Sequence, residues 1–134
     1  MIEALRELKS TLLADADLAG MITDVYMRPV PKDAVMPYLV HSGEEFNGGH
    51  TVMRELLYTV DVYTEGKSQA PAAQIADRVE KVLNRRALII EGRSLARVFY
   101  DAGPEVVPEE DATDQHLALE FIVRYALDGL AAQE

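Results

Sequence analysis

Residues 51–64, Thr-Val-Met-Arg-Glu-Leu-Leu-Tyr-Thr-Val-Asp-Val-Tyr-Thr, decide the fold class. Leu56, Tyr58, Val60 and Val62 fall on one side and Glu55, Leu57, Thr59, Asp61 and Tyr63 on the other, the period of two of an extended strand. A second such run closes the chain, where Leu117, Leu119, Phe121, Val123, Tyr125 and Leu127 alternate with His116, Ala118, Glu120, Ile122 and Arg124. At ~3.3 Å per residue, the first run would span about 46 Å. It is therefore expected to bend at a bulge or to leave the body as an arm, and its edge is a candidate for pairing with a neighbouring chain.

Around these strands the period changes to that of helices. Met1, Leu5, Leu8 and Leu12 share one side of residues 1–14, with Glu3, Arg6, Glu7 and Lys9 opposite, an amphipathic helix that acts as a lid. Asp15 or Asp17 is placed to cap a short turn through Leu18, Met21 and Ile22, after which residues 24–27 turn extended. Ser68 is the expected N-cap of a second long helix, with Pro71 tolerated in its first turn. Ala72, Ile75, Ala76, Val79, Val82 and Leu83 form its apolar stripe, and Asp77 stands four residues before Lys81 on the polar side.

The connections follow from glycine and proline. Pro29, Pro31 and Pro37 make residues 28–37 an irregular segment along a sheet edge. A short strand at 38–42 then leads into Gly43–His50, whose three glycines predict a hairpin tip, with Ser42 ending the strand. Residues 87–91 follow the second helix, then a turn at Gly92, a strand expected near 95–101 and an acidic loop over 103–114. This order predicts a single α+β domain, 1–134: a mainly antiparallel sheet with two principal helices packed on one face.

Composition narrows the chemistry. The 134 residues hold 13 Lys+Arg and 23 Asp+Glu, a net charge of −10, which opposes wrapping nucleic acid, because affinity for phosphate comes from clustered cations. Cysteine is absent, excluding a disulfide scaffold, thiolate metal sites and cysteine nucleophiles. The apolar runs all fall short of the ~20 residues that span a bilayer, and residues 1–13 are charged where a signal peptide would be apolar. Neither membrane insertion nor secretion is expected.

The search for a reactive centre returns little. His41, His50 and His116 lack a second ligand at helical spacing, so a metal would require the fold to bring all three together. Gly48-Gly49 lacks both phosphate-binding glycine patterns. Glu44 and Glu45 point to opposite sides if extended, poor geometry for a cooperating acid and base. The five carboxylates of 104–114 do not follow the spacing of a calcium loop, and a charge run of this kind is a solvated loop or a surface that meets a basic partner. Arg78, Lys81, Arg85, Arg86, Arg93 and Arg97 concentrate positive charge in the middle of the chain. Opposite patches on one molecule suit a head-to-tail ring of identical copies. No cofactor or metal is expected.

The order of landmarks resembles a known family. Leu-Leu-Ala-Asp-Ala-Asp-Leu-Ala at 12–19 precedes Val25-Tyr26 and a proline-rich connection ending in Met-Pro-Tyr-Leu-Val at 36–40. Tyr-Thr-Val-Asp-Val-Tyr at 58–63, Ala-Asp-Arg-Val-Glu-Lys-Val-Leu at 76–83 and Leu-Ala-Leu-Glu-Phe-Ile-Val at 117–123 follow. In this order the chain is similar, over nearly its whole length, to the tail-completion or tail-terminator proteins of long-tailed bacteriophages and prophages. The resemblance implies a non-catalytic α+β subunit, assembled in the bacterial cytoplasm into a ring, usually a hexamer. That ring sits at the head–tail interface of the virion, bound to the tail-tube protein and the head connector, with DNA passing through unbound. Six copies at −10 each would carry −60, and carboxylates lining a channel would repel phosphate. Glu44, Glu45, Phe46, Glu109, Glu110 and Asp111 are the candidates for channel or interface positions, being expected on loops. Two other classes stay open to the residues alone: a small dimeric ligand-binding or regulatory module, and an enzyme using His50 or His116 as base.

Overall fold

In a computed structural model of the chain, residues 1–46, 53–90, 94–108 and 113–126 are described. The two alternating runs lie side by side at its centre. Strand β3 (Met53–Glu65) pairs antiparallel with β6 (Asp114–Ala126) along its full length, and β3 also pairs with β2 (Tyr38–Phe46). The six-stranded sheet has the order β1-β2-β3-β6-β5-β4, where β1 is Val25–Tyr26, β4 Ala87–Ile90 and β5 Ser94–Val106. Every pairing is antiparallel except β1 with β2.

Helices α1 (Ile2–Ala14), α2 (Ala16–Ala19) and α3 (Ala70–Leu83) complete the α+β domain. Their apolar stripes meet one face of the sheet. Leu5, Leu8 and Leu12 of α1 and all six stripe residues of α3 are buried with Leu56, Tyr58, Val60 and Val62 of β3 and Leu117, Leu119, Phe121 and Val123 of β6. Each such Leu, Ile, Val or Phe side chain, removed from water, contributes about 1.5–3 kcal/mol. Met1, expected on the α1 stripe, lies before the helix and is 43% exposed.

Asp15 joins the three helices. Its carboxylate accepts from Leu18 N–H at 2.9 Å, capping α2, and from Arg78 Nε and Nη2 of α3 at 2.9 and 2.7 Å. Hydrogen bonding from Arg78, then from the Leu18 amide, holds this carboxyl down to about 2. The i,i+4 pair Asp77–Lys81 forms at 3.1 Å. Helix α3 begins one residue later than the Ser68 cap would place it: Gln69 is the N-cap, and Ser68 Oγ accepts from Ala70 N–H at 3.2 Å.

The strands are longer than the turn signals suggest. β2 does not stop at Ser42 but continues to Phe46, opposite Glu55–Tyr58. Gly43 serves close packing there, since a Cβ would lie 2.8 Å from Leu56 Cδ1 and 3.3 Å from Leu5 Cδ2. Pairing with β3 outweighs the local glycine signal; the tip of the expected hairpin, with Gly48, Gly49 and His50, lies outside the described residues. β3 neither bends at a bulge nor leaves the body as an arm. Its register is unbroken against both neighbours and neither of its edges is open, so it is not the strand that a second chain could extend.

β5 likewise runs to Val106 through what the sequence suggests is loop, because register shifts between Tyr100 and Glu105 absorb the extra residues. Gly103 sits in that irregularity with φ +104°, and a Cβ there would be 2.5 Å from the Ala118 carbonyl oxygen. Gly103→Ala is therefore expected to cost about 1–3 kcal/mol, read as a lowered urea midpoint with an unchanged slope.

His41 is the buried polar residue that helix and sheet share. It is 2% exposed, and its Nδ1 lies 2.6 Å from the hydroxyl of Tyr58, itself fully buried. Burial, with Lys9 of α1 nearby, lowers the imidazole pKa from 6.5 to about 4. The folded protein thus holds His41 neutral while the unfolded chain protonates it near 6.5. Its stabilisation is complete above pH 6.5 and is lost as pH falls toward 4. Urea midpoints should fall over that window, and His41→Gln should flatten that part of the slope; an equal slope in the variant would contradict this assignment.

Candidate assembly surface

The helices leave the second face of the sheet uncovered, and the same alternation that fills the core sets what this face carries. Tyr38, Val40, Ser42, Glu44 and Phe46 of β2 stand beside Tyr63, Asp61, Thr59, Leu57 and Glu55 of β3. Across β6 the row continues through His116, Ala118, Glu120, Ile122 and Arg124.

One end of this face is an aromatic and ionic cluster. The rings of Tyr26, Tyr38 and Tyr63 follow one another at 5.5 and 5.4 Å, and His116 stacks on Tyr63 at 4.2 Å. His116 Nε2 is 2.6 Å from Asp61 Oδ1, and Arg28 approaches Asp61 Oδ2 at 3.7 Å. Arg28 also donates to the Tyr63 hydroxyl at 3.4 Å. With the side chains of His116 and Asp61 only 7% and 9% exposed, this pair clamps β3 to β6 beneath the aromatic row.

The far end of the face carries the residues expected on loops. Glu44, Glu45 and Phe46 are strand residues of β2, not loop residues, and alternation separates the two carboxylates. Glu45 turns to the helix side, where it accepts from the Tyr125 hydroxyl and lies 3.7 Å from the amino group of Met1. Burial, then this hydrogen bond, pushes the Tyr125 phenol up. Glu44 and Phe46 stay on the uncovered face, Phe46 40% exposed. Glu109, Glu110 and Asp111 lie outside the described residues.

At the opposite sheet edge, Ile89 of β4 and Leu95 of β5 are 63% and 66% exposed on the same face. Arg97 beside them reaches back along the edge, donating to the Arg85 carbonyl at 3.0 Å. Arg124 lies 5.5 Å over the Phe99 ring and 3.5 Å from Glu55. This basic and apolar edge, like the buried His41–Tyr58 and His116–Asp61 pairs, appears in the sequence only once strand parity is extended: His41 shares the parity of Leu39, and Asp61 that of Tyr63.

A groove of about 410 Å³ opens between α1 and the β1–β2 edge, bounded by Ile2, Arg6, Lys9, Val25, Met27 and His41. Ile2 and Met27 at its rim are 51% and 47% exposed. Among the described residues, no group of three or more His, Asp or Glu is placed to hold a metal ion, and no helix is long and apolar enough to cross a membrane.

Comparison with solved structures finds the same fold in other proteins. A chain of the virion of a native gene transfer agent particle superposes with a TM-score of 0.77 at 20% identity, covering 91% of this chain and 93% of that one. The gp17 protein of bacteriophage SPP1 matches with a TM-score of 0.58 at 21% identity, over 94% and 92% of the two chains. Sequence comparison with curated proteins gives no match. The family described as tail completion protein gp17 matches residues 6–126, so the match takes in every strand, all of α3 and α1 from Arg6 onward: the chain belongs to the tail completion protein gp17 family of phage tail proteins.

Proposed function

We propose that this chain completes a phage-type tail as a ring of identical copies, six in the simplest case. The ring closes the end of the tail tube and joins it to the head connector. The observation that carries this reading is the family match over residues 6–126. The subunit's work is to fit against its own copies and against tube and connector proteins, without catalysis, after assembly in the host cytoplasm.

Charge supports an open path for DNA. A ring of subunits at −10 each repels the phosphate backbone wherever its carboxylates line the channel. Glu44, exposed on the uncovered face, is the described carboxylate we assign to that lining or to the subunit contact beside it. Glu109, Glu110 and Asp111 are assigned to the same surfaces from the sequence alone.

Removing the gene from the genome that produces the particle tests the reading by negative-stain electron microscopy. Full heads without tails and tails of uncontrolled length are expected, with joined particles restored when the gene is supplied in trans. Joined particles with tails of normal length in the absence of the gene would refute the proposal.

A further inference from the structure

We infer that copies of this chain join head to tail by extending one sheet into the next, the outer edge of β2 in one copy receiving β4 of its neighbour in parallel register, with Glu44 opposite Ala87 and Phe46 opposite Ile89. The inference rests on the self-assembly reading and supplies its contact surface.

Both edges are open. β1 pairs only with Leu39 and Val40, so the stretch from Gly43 to Phe46 has β3 on one side and no strand on the other among the described residues. β4 is the terminal strand on the far side. Direction matches as well. Four antiparallel steps lead from β2 through β3, β6 and β5 to β4, so β2 and β4 point the same way. Rotation about an axis along the strands, as in a closed ring, preserves that direction.

Hydrogen-bond phase restricts the register to every second residue. Leu39 N–H donates outward to Asp24 C=O, so Gly43 and Glu45 also present N–H and C=O to the open edge. Val98 N–H donates to Arg86 C=O, which turns Arg86, Leu88 and Ile90 toward β5 and leaves Ala87 and Ile89 facing out. In a parallel ladder the outward residue Glu45 must lie between two outward residues of the partner. Placing it opposite Leu88 lets Glu45 N–H donate to Ala87 C=O and Ile89 N–H donate to Glu45 C=O.

The side chains agree with that register. Glu45 and Leu88 both face the helices, while Glu44, Phe46, Ala87 and Ile89 all stand on the uncovered face. Phe46 then meets Ile89 and Leu95, exposed apolar groups at opposite edges of one subunit. Arg97, directly across from Ala87 and held at the Arg85 carbonyl, is then separated from Glu44 by that small side chain, so acidic edge meets basic edge. Each subunit contributes one of each edge, and a heterologous contact of this kind closes into a ring when its rotation divides the full turn evenly.

The chain contains no cysteine, which makes disulfide trapping clean. Within one subunit β3, β6 and β5 lie between the two edges, and a bond formed between two single-cysteine variants can only join separate chains. Oxidation of the full-length Phe46→Cys/Ile89→Cys protein should produce a ladder of covalent multimers. The two single variants should cross-link when mixed, and the offset pair Glu45→Cys/Ile89→Cys should cross-link at least tenfold less. Ile89→Pro, which removes an outward N–H at an exposed edge position, should keep its cooperative thermal melt and lose the multimers seen by native mass spectrometry, whereas Ile89→Thr retains them. Glu44→Arg should weaken assembly and Arg97→Glu, added to it, should restore it. Equal trapping of aligned and offset pairs, or multimers that persist in Ile89→Pro, would overturn the edge pairing while leaving the ring intact. A chain that is monomeric at every concentration and inside purified particles would remove both the pairing and the ring.

Discussion

The pairing of β3 with β6 is the constraint on which the other parts depend. Thirteen residue pairs in unbroken register put Leu56, Tyr58, Val60 and Val62 beside Val123, Phe121, Leu119 and Leu117, all at most 4% exposed. A one-residue slip of β3 would bring Glu55 and Asp61 to the helix side and turn Leu56, Tyr58, Val60 and Val62 away from it. That penalty fixes the register, and the register positions everything else. Helices α1 and α3 cover the apolar rows because no other surface of the sheet offers a comparable partner.

Polar groups inside this frame are tied to specific partners, which is how the fold retains them. His41 lies in the helix-side row and is satisfied by Tyr58; His116 lies in the opposite row and is satisfied by Asp61. Both link neighbouring strands at the level of side chains, adding direction to a sheet whose hydrophobic rows alone are permissive. Asp15 does the same for the helices by capping α2 and holding Arg78 of α3. Loss of one partner from such a pair strands a buried or half-buried polar group, so these residues are coupled to the core although they add no hydrophobic area.

Much of this was legible in the sequence, for physical reasons that also explain what was not. The stripe of α3, the faces of β3 and β6 and the cap at Asp15 are periodic or local signals, and each is realised. Ends of strands are decided by partners distant in sequence, which local signals do not contain. Gly43 looks like a turn because glycine permits one, yet here it admits Leu56 and Leu5. Gly103 and Pro104 look like a loop, yet β6 holds them in the sheet through an irregular register. Glu44, Glu45 and Phe46 therefore changed from loop to strand, and with that change the two carboxylates acquired different roles. The ring of Tyr26, Tyr38, Tyr63 and His116 draws on four strands, so spacing along the chain could not reveal it.

A sheet that is closed at its centre and unfinished at its margins suits a subunit whose final partner is another copy. The long strands β3, β5 and β6 are paired within the chain, while the cover on β2 is two residues long and β4 is four residues long. Soluble proteins usually blunt such edges with charge or irregularity, because an exposed strand recruits other strands. Here the blunting is selective. Glu44 guards one edge and Arg97 the other, opposite signs on the same face, so like edges repel and unlike edges attract. In the proposed edge pairing, that arrangement disfavours a two-fold dimer through either edge, which would place like charges together, and favours the head-to-tail order of the proposed ring. The overall charge of −10 adds a long-range repulsion between copies that short-range edge complementarity must overcome. In the proposed ring, the balance of these terms makes assembly sensitive to salt, and it makes a pre-organised template, such as the end of a finished tube, an effective means of bringing subunits into register.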